Sequence, residues 1–133
     1  HNAAGSTLAV DIVSVHLDFS RQRVRDEQIA EMAEVFANRK NPMIILGDFN
    51  SEWLAETSVV KKLAEKAGMT VYDPGATDLH TYNSSRRYDW ILISDELAFI
   101  RYEVLPDVLS DHLAVLAEIK LKNTNEKSAE KNR

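Results

Sequence analysis

The sequence contains no cysteine, and that one absence removes disulfide bonds, thiolate metal ligands and cysteine nucleophiles together. Any metal bound here must take oxygen or imidazole ligands. No stretch approaches the roughly 18 to 20 consecutive apolar residues that a membrane helix requires, so no transmembrane segment is predicted. Positive charge is also scarce: 16 lysines and arginines stand against 21 aspartates and glutamates, a formal net charge of −5. That balance, with no stripe of basic and aromatic residues, speaks against a broad electrostatic footprint for nucleic acid. An acidic chain can still act on phosphates if a cation neutralises its carboxylates. The opening "HNAAGSTLAV" shows no initiating methionine, basic segment or apolar targeting run, so the sequence reads as the middle of a longer chain and leaves the compartment open.

The residues present suit one globular domain of 133 residues, with 44% hydrophobic and 28% charged residues close to globular averages. Residues 8–17 ("LAVDIVSVHL") are rich in β-branched residues and read as a strand. Ser20 can cap a helix, and Ile29, Met32, Ala33 and Phe36 recur at helical spacing, predicting an amphipathic helix over about 21–39 that Asn41 and Pro42 stop. Residues 43–46 form a short apolar strand that delivers the chain to Gly47, read as a backbone permit for a sharp exit. Val59, Val60, Leu63, Ala64 and Ala67 mark a second helix, closed by Gly68. The segment 72–87 is dense in turn residues and reads as a long loop. Apolar strands are expected at 88–93, at 99–105 as an edge, and at 110–121, the last with both faces covered. The polar stretch 122–133 reads as a disordered tail.

Four strand termini break the apolar pattern: "HLD" at His16, "GDFN" with Asp48 and Asn50, Asp89 in "YDW", and "SDH" with Asp111 and His112. His16 and Asp48 follow their strands, whereas Asp89, Asp111 and His112 begin theirs. All can meet at one edge only if the strands run in opposite directions, which predicts a mixed or antiparallel sheet. Together they would offer carboxylates, imidazoles and an amide, a set suited to holding a hard cation and moving protons near a phosphate. Each piece alone also has a plain structural reading. "GDFN" can be an Asx turn, His16 a structural strand-end histidine, and "SDH" a turn leading into a strand. Arg86 and Arg87 are either a solvated pair or contacts for a substrate phosphate.

The order of these motifs resembles the C-terminal half of the endonuclease/exonuclease/phosphatase superfamily of metal-dependent phosphoesterases, over about residues 8–121. "DW" stands where many members have "DY". The resemblance implies an α+β fold, the C-terminal half of a four-layer αββα sandwich with a mixed or antiparallel sheet and helices on one face. Residues 1–121 would form that half, leaving an apolar sheet face for the missing N-terminal half or another chain to cover. It implies that Asp48 orients or deprotonates the attacking water, that Asn50 holds the phosphate and leaving oxygen, and that His112 contacts the scissile phosphate. Asp89 would orient His112, His16 would be a second histidine that contacts the phosphate or serves as general acid, and Asp111 would lie near the cation. The implied cofactor is Mg2+, with Mn2+ as a substitute, and the principal glutamate ligand is absent from the chain. The implied substrate is a phosphate ester: nucleic acid, a phospholipid headgroup or a sugar or inositol phosphate. Activity is expected only with the N-terminal half present; the rival reading is a catalytically silent scaffold module.

Overall fold

The computed structural model describes residues 7–18 and 21–123. Its elements are β1 (Asp11–His16), α1 (Gln22–Phe36), β2 (Met43–Asp48), α2 (Val59–Ala67), β3 (Asp89–Ile93), β4 (Leu97–Val104) and β5 (Val115–Leu121). Ser20, the expected cap of the first helix, and residues 124–133 of the expected tail lie outside the described residues. At the start of α1 the Arg21 amide donates to Asp18 Oδ1 at 2.8 Å. α2 ends where its sequence predicts, Gly68 closing the helix in the left-handed conformation at φ 65°, and at its start Ser58 Oγ accepts the Lys61 amide. Among the described residues no helix is long and apolar enough to cross a membrane.

β1 pairs with β2 in parallel, and β2 with β3 antiparallel, the mixed sheet that the motif positions require. Alternation along these strands divides the side chains between two layers. Ile45, Trp90 and Leu92 face the helices, where they pack with Ile29, Phe49, Val59, Val60 and Leu63. Ile44, Leu46, Ile91 and Ile93 face the other way, against Leu97, Phe99, Tyr102, Val115, Ala117 and Ile119. That second layer is a separate two-stranded antiparallel sheet of β4 and β5. Thr70 exchanges both backbone hydrogen bonds with Ile93 at 2.9 Å, occupying the outer edge of β3 where β4 begins. The chain therefore folds over onto the sheet face, giving helix, sheet and sheet in three layers.

Two expectations change here. The sheet face predicted to lack a cover is covered over β2 and β3 by β4 and β5, and stays open along β1, where Ile12 is 68% exposed. The last strand starts at Val115 rather than Ser110, and its burial alternates, so only one of its faces is covered. Leu116, Glu118 and Lys120 point outward, and Glu118 pairs with Arg101 of β4 at 3.4 Å.

Arg87 is 7% exposed and lies in the packed interior. Its guanidinium stacks on the Trp90 ring at 4.0 Å and donates to the carbonyls of Tyr72 and Asp73 at 2.7 and 2.8 Å. It thereby ties the start of the long loop to β3. Arg87→Met would strand those carbonyls and remove the cation from the ring, at an expected loss of about 2 to 4 kcal/mol in urea unfolding.

Candidate active site

Register places three chemistry-bearing residues on one row. His16 lies opposite Asp48 across β1 and β2, and Asp48 lies opposite Asp89 across β2 and β3. All three share the sheet face that carries Ile44 and Leu46. His112 reaches the same place from the segment before β5, in the other sheet, rather than from a strand start. It is held there by a bridge to Tyr82, by the Leu113 amide donating to the Thr81 carbonyl at 2.8 Å, and by Ser110 Oγ, which accepts the His112 amide at 3.1 Å.

His112 sits between two carboxylates. Its Nδ1 lies 2.7 Å from Asp89 Oδ2, and its Nε2 lies 3.7 Å from Asp48 Oδ2. Burial works against its charge, but the Asp89 hydrogen bond and the fields of Asp89, Asp48 and Asp111 outweigh it and raise the pKa above 6.5. Tyr82 stands against the ring at 4.9 Å and stacks on Tyr88 at 5.5 Å. His16 Nε2 lies 3.6 Å from the same Asp48 oxygen, on a largely exposed side chain.

Asp48 has its pKa raised, first by burial and also by Asp89, against the opposing pull of the Asn50 amide and the two histidines. The Asn50 amide donates to Asp48 Oδ1 at 2.8 Å, an Asx turn of the kind "GDFN" permits. That turn puts Asn50 at φ 46°, and its side-chain Nδ2 donates to the Leu17 carbonyl at 2.9 Å, so the amide is fixed beside the end of β1.

His16, Asp48, Asn50, Asp111, His112, Tyr82 and Tyr88 line one cleft of about 550 Å³. Asp89 stands behind His112. The two arginines are elsewhere: Arg87 is in the interior, and Arg86 pairs with Glu52 at 3.2 Å beside a separate hollow that includes Asn50 and Tyr88. Three residues at the site carried no signal in the sequence: Thr81, Tyr82 and Tyr88. All belong to, or adjoin, a loop without periodicity, and only its density of turn residues marked it.

Asp48, Asp89 and His112 each offer a donor atom within 4.8 Å of the others, a spacing a metal ion could use. The chemistry of this set is less favourable. Asp89 Oδ2 already accepts hydrogen bonds from Thr81 Oγ1 at 2.7 Å and from His112, which leaves that oxygen little capacity for a metal ion. The oxygens left for a hard cation are those of Asp48, Asn50 and Asp111 along the cleft.

The sequence matches the profile of the Endonuclease/Exonuclease/phosphatase family over residues 6–112. No curated protein sequence matches it. Among solved structures, an endonuclease/exonuclease/phosphatase family protein from Bacteroides thetaiotaomicron is similar at a TM-score of 0.65 and 22% identity, over 84% of this chain and 50% of that one. A mannosyl-6-phosphatase from Bacteroides thetaiotaomicron is similar at 0.61 and 22% identity, over 83% and 51%. The human Nocturnin catalytic domain with bound sulfate is similar at 0.64 and 19% identity, over 90% and 49%. These likenesses show the fold, and the chain spans about half the length of each of these structures. With the profile match extending over most of its length, this chain belongs to the Endonuclease/Exonuclease/phosphatase family.

Proposed function

We propose that the chain supplies the aspartate and histidine side of a magnesium-dependent phosphoesterase that cleaves a phosphate ester by in-line attack of water. The observation that carries this reading is His112, fixed at Nδ1 by Asp89 while Nε2 faces Asp48 across the cleft. A proton held on Nε2 points to where a phosphate oxygen would stand, so His112 stabilises the charge that develops there. Burial makes Asp48 a better base than an ordinary carboxylate, which suits it to orient the attacking water and take its proton. Asn50 presents its remaining amide hydrogen to the phosphate or leaving oxygen, and His16, on the open side of Asp48, serves the same phosphate. A divalent cation, which Asp111 would hold together with a glutamate outside this chain, would supply Lewis-acid stabilisation of the phosphate when bound.

In this reading residues 1–121 are the C-terminal half of the catalytic domain, and activity belongs to the complete protein. Hydrolysis of p-nitrophenyl phosphate and of bis(p-nitrophenyl) phosphate is the direct test. The complete protein is expected to turn over at least one of them with Mg2+, to lose activity in EDTA, and to regain it with Mg2+ or Mn2+. This chain alone is expected to be inactive. A complete protein inert toward both esters with either metal would sink the assignment.

A further inference from the structure

Thr81 lies in the long loop between α2 and β3, yet its side chain is 0% exposed. Its hydroxyl accepts the backbone amides of Tyr88 and Asp89, both at 3.2 Å, and donates to Asp89 Oδ2 at 2.7 Å. A hydroxyl offers one hydrogen and two lone pairs. With both lone pairs taken by amides, the hydrogen has one direction left, toward Asp89. The oxygen that receives it is the one that accepts His112 Nδ1–H at 2.7 Å.

The backbone of the same residue holds the other partner. The Thr81 carbonyl accepts the Leu113 amide at 2.8 Å, next to His112, and the Thr81 amide donates to the Arg86 carbonyl at 2.8 Å, closing the turn that carries Tyr82. One residue therefore sets the Asp89 carboxylate through its side chain and the His112 segment through its main chain. An aspartate carboxylate rotates easily about its last bond, and the amides that fix the hydroxyl are those of Asp89, which opens β3, and of Tyr88 directly before it.

We propose that Thr81 is a positioning residue of this site, locking the Asp89 carboxylate so that Oδ2 faces the His112 ring. Its kinetic consequence rests on the phosphoesterase proposal; the geometric one does not. Thr81→Val keeps the shape and removes the hydroxyl, and Thr81→Ser keeps the hydroxyl and removes the methyl.

The complete protein, labelled with 15N-histidine, is followed by NMR and by steady-state kinetics. Thr81→Val is expected to lose the slowly exchanging Nδ1 proton signal of His112, and its kcat to fall about 10- to 100-fold with KM within about two-fold. Thr81→Ser is expected to keep the signal and most of the turnover. A valine variant with the parental signal and kcat overturns the proposal, and so does a serine variant as impaired as the valine one. Should Thr81→Val not fold, the unmutated protein decides: the Thr81 hydroxyl proton must exchange slowly and show a cross-peak to the His112 Nδ1 proton, and its absence overturns the proposal. If the unmutated protein hydrolyses nothing, the phosphoesterase reading fails, and the NMR signals alone decide the position of Asp89.

Discussion

Gly47→Ala is expected to unfold the chain under conditions where the parent is stable. Gly47 has φ 138°, and a Cβ built on it would stand 2.0 Å from the Val15 carbonyl oxygen. That oxygen belongs to β1, directly opposite Gly47 in the parallel ladder, so it cannot move aside as a flexible side chain could. The backbone conformation is also one that side-chain-bearing residues rarely adopt. Relief requires β1 to separate from β2, which breaks the row holding His16 opposite Asp48. A loss of at least about 4 kcal/mol is expected, a large part of the roughly 5 to 15 that typically hold a domain together. Circular dichroism with urea titration is the measurement, and Gly75→Ala is the control, because nothing lies within 4 Å of a Cβ there. Equal stability of the two variants would refute the account of Gly47.

On the phosphoesterase reading proposed above, His112→Ala in the complete protein should leave the fold intact and lower kcat by about a thousandfold, the scale of losing a charge-stabilising donor. The fold survives because His112 is partly exposed and its segment is held by main-chain bonds at Tyr82 and Leu113. A variant with parental turnover would remove His112 from the mechanism.

The same substitution should change how stability depends on pH. Folded His112 has a pKa above its unfolded value of 6.5. Its contribution is therefore fully present below that value and is lost as pH rises through the folded pKa. Asp48 is also raised, above 3.8, so folding favours its protonated form and that favour fades as pH climbs through its folded pKa. In the metal-free protein, the urea midpoint of the parent should fall as pH rises above 6.5 and through the folded pKa of His112. In His112→Ala that decline should be absent.

Much of this architecture was legible because local chemistry dictated it. Gly68 closes α2, and the apolar run before Gly47 could be little else than a buried strand. The polar breaks at His16, Asp48 and Asp89 foretold a mixed sheet, since only opposed strand directions bring them to one edge. Gly47 was legible only in part: its freedom serves the close approach of β1 rather than a sharp exit, which no local pattern reveals. His112 was legible as a residue but not as a placement. The histidine belongs to a segment pinned by Thr81 and Tyr82, and such pairing between two irregular stretches leaves no periodicity. Arg87 was unreadable for a related reason, because its solvent is replaced by Trp90 and by carbonyls 14 and 15 residues away.

The row of His16, Asp48 and Asp89 also bears on which length changes such a chain can tolerate. Added residues between α2 and β3, or between α1 and β2, leave the three opposite one another. A single residue added inside β2 would do otherwise, because neighbouring strand positions face opposite sides. Asp48 would turn toward the helices, a carboxylate would enter the layer of Ile45 and Trp90, and the cleft would receive an apolar neighbour in its place. Sequence drift in this protein is therefore confined by geometry: loops can grow where they carry no partner of the row, as Thr81 is for Asp89, while the strands must keep their length.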